Sequence, residues 1–119
     1  MNQHFIAGKV PSVIGHRGAC GHAPENTLAS FRKVADLGAK WVEFDVKLTA
    51  DLLPVLFHDT FLNRTSDGKG KLSQYTLYEL QKLDAGSWYS PEFLEERIPS
   101  LVQAIDVLEA IGLGAMIEL

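Results

Sequence analysis

In the stretch Trp41–Val46, Val42, Phe44 and Val46 fall on one side of an extended chain, and Glu43 and Asp45 fall on the other. That alternation predicts a strand with one apolar and one acidic face. The apolar run Ser12–Gly15 after Pro11 predicts an earlier strand, followed by a polar, glycine-rich turn. Next, TLASFRKVADLG switches to helical spacing, with Leu28, Phe31 and Ala35 on one face. Asn26 is placed to cap its start and Gly38 to end it. Leu53–Phe57 predicts a third strand, joined to the second across TADL as a hairpin or an extended excursion.

Beyond His58 the pattern loses its period as far as Arg97, with Asp67-Gly68 and Gly70 marking turns. Two capping boxes break the irregularity. Thr76-x-x-Glu79 opens a short helix, TLYELQKL, that Gly86 is expected to end. Ser100-x-x-Gln103 opens a helix to about Ala110, with Leu101, Ile105 and Leu108 on one face, and Gly112 and Gly114 break it. AMIEL then predicts a final strand. Strands alternating with helices imply an α/β chain with a mostly parallel sheet and helices packed outside. The last strand stops without turn, cap or polar tail, which predicts that the chain is the front part of a longer protein.

Composition narrows the function classes. At 119 residues, 46% hydrophobic and 22% charged, the chain fits one small domain or part of a larger one. Its net charge of −4 offers no basic field for nucleic acid or anionic headgroups. One cysteine, Cys20, makes no internal disulfide, and neither a signal peptide nor a membrane span is evident in the sequence. The expectation is a cytoplasmic protein.

In parallel α/β folds, ligands gather at the carboxyl ends of the strands. Here those ends carry His16 and Arg17, Glu43 and Asp45, His58 and Asp59, and Glu118. Each has a plain reading by itself. His16 could bond backbone, Arg17 could be a surface arginine, His58 could cap a strand end, Asp59 could form an Asx turn, and Glu118 could face water. His4 and His22 read as incidental, and Cys20 as a small loop residue without an activating neighbour. Glu43 and Asp45 repel each other unless a cation neutralises them. The set on one rim is what carries meaning. Acidic oxygens without a zinc-type cysteine or histidine cluster suit a hard divalent cation, Mg²⁺ or Ca²⁺. Arginine offers a fork for phosphate oxygens, and two histidines supply an acid and a base near neutral pH. Together they describe phosphodiester cleavage.

The residues that carry this chemistry stand in GHRG at 15–18, PENT at 24–27, GAKWVEFDVKLTAD from 38, PVLFHDTFLNRT from 54, then DGKG, TLYELQKLDAG and IPSL. In this order and spacing they resemble the glycerophosphodiester phosphodiesterase family. The resemblance implies a TIM-type (β/α) barrel, of which residues 1–119 are the N-terminal portion, with the family's small inserted subdomain at about 59–97. It implies hydrolysis of glycerophosphodiesters to an alcohol and sn-glycerol 3-phosphate. It makes His16 and His58 the acid/base pair, Glu43, Asp45 and Glu118 the ligands of a divalent cation, and Arg17 the phosphate contact. The family's third acid is usually followed by Ile-Lys, whereas here Leu119 follows Glu118 and the chain stops. A barrel of this kind takes about 250 residues, so the 119-residue chain alone is expected to self-associate and to lack activity. Two rival readings remain: a non-catalytic phosphate-binding or self-associating half-barrel, and a related phospholipase-type phosphodiesterase. The acidic charge and the lack of an apolar docking stretch favour a soluble, deacylated substrate over the latter.

Overall fold

The computed structural model describes residues 3–5 and 14–119. Its strands are β1 (Gln3–Phe5), β2 (Gly15–His16), β3 (Trp41–Leu48), β4 (Pro54–Leu56) and β5 (Gly114–Glu118). Its α-helices are α1 (Leu28–Asp36), the single turn α2 (Leu77–Leu80) and α3 (Leu101–Ile111). Ser12 and Val13 of the predicted first strand, and the side chain of His4, lie outside the described residues. Among the described residues, no helix is long and apolar enough to cross a membrane.

The sheet runs β1-β5-β3-β2. Its centre is parallel as predicted, with β2 and β5 both parallel to β3, in register Gly15↔Val42 and Asp45↔Glu118. β1, which the sequence pattern did not disclose, joins antiparallel to β5. β4 folds back antiparallel on the end of β3, Val46 opposite Leu56, which settles the hairpin alternative. This corrects one step of the rim argument. β3 extends past the parallel sheet, and β4 returns from that extension, so His58 reaches the rim on a reversed strand. Likewise, Glu43 and Asp45 stand mid-strand and reach the rim only because their partners β2 and β5 end beside them.

The alternation in β3 has its expected consequence. Val42, Phe44 and Val46 are buried against Phe31 and Val34 of α1 and Ala104 and Leu108 of α3, with Ala115 and Leu56 completing the layer. The rings of Phe31 and Phe44 lie 5.5 Å apart, tilted by 47°. Burying two aromatic rings and several aliphatic chains in this way contributes about 1.5–3 kcal/mol per side chain. The face of α3 differs from the one expected. Ala104 and Leu108 are its buried residues, with Leu101, Val107 and Ile111 packed beside them, while Ile105 stays outside the cluster.

Helix ends follow local chemistry. Thr27 caps α1, its hydroxyl accepting from the Ser30 amide at 3.3 Å, in place of the expected Asn26. Glu96 adds a carboxylate to the same helix start, accepting from the Ala29 amide at 2.9 Å across 67 residues of sequence. Both predicted capping boxes form, at Thr76 and Ser100. Gly112 ends α3 in the left-handed conformation, φ 75°, where a residue without a Cβ carries no penalty. α2, by contrast, stops at Leu80 rather than running on to Gly86, since Gln81 already caps it. Around it residues 57–98 fold on a second core of Val55, Phe57, Leu62, Leu72, Leu80, Ala85 and Ile98.

Candidate functional site

The site begins in the turn after β2. Arg17 sits at φ 52° and Gly18 at φ 78°, so the chain reverses at once. A Cβ on Gly18 would stand 2.0 Å from the Ser30 hydroxyl, so only glycine fits there. The Gly18 amide donates to the Glu43 carbonyl at 3.1 Å, which pins the turn to β3, and the Asn26 amide donates to the Arg17 carbonyl at 2.8 Å. Two consecutive left-handed residues, one bearing a long side chain, are a local strain that the surrounding bonds must hold.

On the acidic face of β3, each carboxylate has a distinct setting. The His16 imidazole lies 3.2 Å from Glu43 through Nε2. Burial raises the carboxyl of Glu43 above its ordinary range, the Glu118 charge adds to this, and His16 opposes it. Burial also raises Asp45, against the hydrogen bond from Asn26 and the charges of His58 and Arg17. Asn26, itself left-handed at φ 57°, grips Asp45 twice: its amide nitrogen donates to Oδ2 at 3.1 Å and its oxygen accepts from the Asp45 backbone at 3.2 Å. Glu118 is buried opposite Asp45 on the neighbouring strand, and its carboxylate pushes both Glu43 and Asp45 upward.

Arg17 bridges the acids. Its Nη1 lies 3.2 Å from Glu25, and its Nε, buried and without a hydrogen bond, lies 3.5 Å from Asp45 Oδ2. On the far side of the rim, His58 Nδ1 is 2.7 Å from Asp59 Oδ1. Asp59 therefore pairs with the histidine, and the Asx-turn reading does not describe its carboxylate. Arg64 then binds Asp59 through Nε at 2.8 Å and Nη2 at 2.9 Å, and Glu25 through Nη1 at 2.9 Å and Nη2 at 3.0 Å. These bonds hold the Asp59 carboxyl far below the usual carboxylate range, Arg64 acting first and His58 after it. They raise the Arg64 guanidinium further, Asp59 first and Glu25 next.

All six residues singled out from the sequence thus stand along one rim. Pattern reading placed Asp59 on the rim without giving it a role, and missed Glu25, Asn26 and Arg64 as participants, although PENT and HDTFLNRT were the stretches that held them. Nothing in the spacing of Arg64 points to Glu25, which lies 39 residues away in sequence. His22 stays outside this network, exposed in its loop, and Cys20 is exposed and free.

The match to known proteins follows the same residues. The model of the glycerophosphoryl diester phosphodiesterase family matches residues 16–119. This chain belongs to that family. A glycerophosphodiester phosphodiesterase of Caldanaerobacter subterraneus is 43% identical over 81% of the chain, which covers 40% of that protein. Glycerophosphodiester phosphodiesterase 1 of Mus musculus is 46% identical over 79% of the chain, covering 29% of its length. A phosphodiesterase of Oleispira antarctica, solved in complex with the product sn-glycerol 3-phosphate, superposes with a TM-score of 0.87 at 51% identity. That superposition spans 89% of this chain and 43% of the other. The chain spans less than half the length of the relatives it matches. Over that span the fold is that of the family's TIM-type barrels, and here it forms a partial barrel sheet with its helices outside.

Among the described residues, no three histidine, cysteine, aspartate or glutamate side chains already surround a point where an ion would sit. Asp45 and Glu118 nevertheless stand opposite each other on β3 and β5, with Glu43 on the same face of β3, and burial disfavours the charges of Glu43 and Asp45. As a donor set, three carboxylates on one face suit a hard divalent cation rather than zinc.

Proposed function

We propose that the protein is a glycerophosphodiester phosphodiesterase, cleaving a glycerophosphodiester to an alcohol and sn-glycerol 3-phosphate. In this reading residues 1–119 are the N-terminal portion of the family's barrel domain, and residues 59–97 are its inserted subdomain. The observation that carries it is the convergence of His16, Arg17, Glu43, Asp45, His58 and Glu118 on one rim of the sheet. The relative solved with sn-glycerol 3-phosphate supports the substrate class.

Glu43, Asp45 and Glu118 would hold Mg²⁺ or Ca²⁺, which supplies positive charge against the anionic face and the phosphate. Arg17 presents its guanidinium to the phosphate oxygens while Glu25 and Asp45 hold it in place. One of His16 and His58 takes the proton of the attacking oxygen as the new P–O bond forms. The other donates a proton to the alcohol oxygen as the old P–O bond breaks. Each histidine is steadied by a carboxylate, Glu43 for His16 and Asp59 for His58.

The test, made on the complete barrel that begins with residues 1–119, is release of sn-glycerol 3-phosphate from glycerophosphocholine with Mg²⁺ or Ca²⁺ added, then with chelator. Activity that chelator abolishes and metal restores is expected. His16→Ala and His58→Ala should each lower kcat at least about 10²-fold, with His22→Ala as the unaffected control. Full turnover in chelator would sink the metal role. No turnover with either ion, alongside retained binding of sn-glycerol 3-phosphate, would establish a phosphate-binding module instead.

A further inference from the structure

We propose that Arg64 is a positioning residue that ties His58 and Arg17 into one frame, acting through Asp59 and Glu25. This rests on the phosphodiesterase reading of the site and assigns a role to a residue outside it.

The geometry is specific. A guanidinium has five N–H donors in a planar fork. Arg64 uses its Nε and Nη2 on the two oxygens of Asp59, and its Nη1 and Nη2 on the two oxygens of Glu25. Each carboxylate then has a second duty toward the site. Asp59 Oδ1 meets His58 Nδ1 at 2.7 Å, and Glu25 Oε2 meets Arg17 Nη1 at 3.2 Å. One cation therefore links two short chains of contact that end on opposite sides of the rim. Asp59 stays ionised, so it only accepts, and the neutral His58 ring must carry its proton on Nδ1. That leaves Nε2 bare and fixes the plane of the ring.

Arg64 can hold this position because its backbone is anchored. Leu62 is fully buried in the second core, its amide donates to the Gly70 carbonyl at 2.8 Å, and Phe61 bridges Lys71. The side chain itself is 47% exposed, so its ion pairs are not there chiefly for stability. A lone exposed pair contributes little, whereas two bidentate forks on one guanidinium set orientation. Lysine, a point donor, cannot grip both carboxylates along their edges.

The test uses Arg64→Ala, Arg64→Lys and the wild type, each in the complete barrel that begins with residues 1–119, with thermal melts to confirm that each is folded. Long-range ¹H–¹⁵N NMR reads the His58 tautomer at a pH where its ring is neutral. Wild type should show the Nδ1–H form, and both variants should show a mixture. In glycerophosphodiester turnover, both variants should lose roughly 10- to 100-fold in kcat, with KM rising by less. An unchanged tautomer in Arg64→Ala would overturn the proposal, as would full rescue by lysine. A large KM increase with unaltered kcat would overturn it too, since Arg64 would then be touching substrate. If even wild type fails to turn over substrate, the phosphodiesterase reading falls, while the tautomer still decides whether Arg64 positions His58.

Discussion

The core under the sheet and the core of residues 57–98 are both buried, yet they are built by different means. In the first, Phe31, Val34, Ala104 and Leu108 meet Val42, Phe44 and Val46 at the periods of helix and strand. In the second, Leu62, Leu72, Leu80, Ala85 and Ile98 come from loops, a 3₁₀ turn and a one-turn helix. Its backbone is satisfied by scattered bonds, such as Ala85 N–H to Glu96 O at 3.0 Å and Asp67 N–H to Asp84 O at 3.1 Å. Side chains finish the job: the Asp84 carboxylate accepts from the amides of Gly86 and Ser87. A dry core therefore needs no regular structure, provided each polar group finds a partner. β4 is the seam, sending Leu56 into one core and Val55 into the other. The site straddles that seam. His16, Arg17, Glu43, Asp45 and Glu118 ride on the sheet side, Arg64 on the other, and His58 follows the seam strand.

The comparison breaks most readily at Phe44. It is fully buried with its ring tilted against that of Phe31, so Phe44→Ala should cost about 3–5 kcal/mol in urea unfolding. Because β3 holds β4, both cores should lose amide-exchange protection together. Leu72→Ala tests the other side. Removing this buried side chain should cost about 2–5 kcal/mol but act locally, speeding exchange across residues 60–98 while the β3 amides stay protected. Equal loss in β3 would make the two cores one cooperative unit.

Acid should act on the two regions with opposite sign. Asp59 titrates below its ordinary range when folded, so its stabilisation is present above that range and fades as pH falls through it. Glu43 titrates above its ordinary range, so the folded state favours its protonated form and loses stability as pH rises through that window. Measured by urea midpoints against pH, Asp59→Asn should flatten the acid side and Glu43→Gln the side toward neutrality. A steeper acid limb in Asp59→Asn would contradict the bonding seen around Arg64.

The smallest effects concern the capping boxes. Ser100→Ala, at the start of an eleven-residue helix in the main core, should cost about 1 kcal/mol in thermal or urea unfolding. Thr76→Ala, on a helix of four residues, should cost less, about 0.5 kcal/mol by the same measurement. A reversed order would mean that the second core depends more on its one turn of helix than its packing suggests.

Local rules determined what local forces build. Alternation in WVEFDV set which face of β3 met the helices, and the two capping boxes marked where α2 and α3 begin. The same alternation put Glu43 and Asp45 together, and the strand ends marked His16, His58 and Glu118. Where two local donors competed, the nearer rule failed. Asn26 looked like a cap, but its amide is taken by Asp45, 19 residues on, so Thr27 caps instead. Only the tertiary structure decided the direction of β4, the pairing of β1 with β5, and the second core. It also decided that Glu25, Asp59 and Arg64 form one network. Those features depend on contacts between residues distant in sequence, which no window of periodicity contains. Their energies become available only once the sheet has brought the partners together, because a half-exposed ion pair is too weak to dictate its own neighbours.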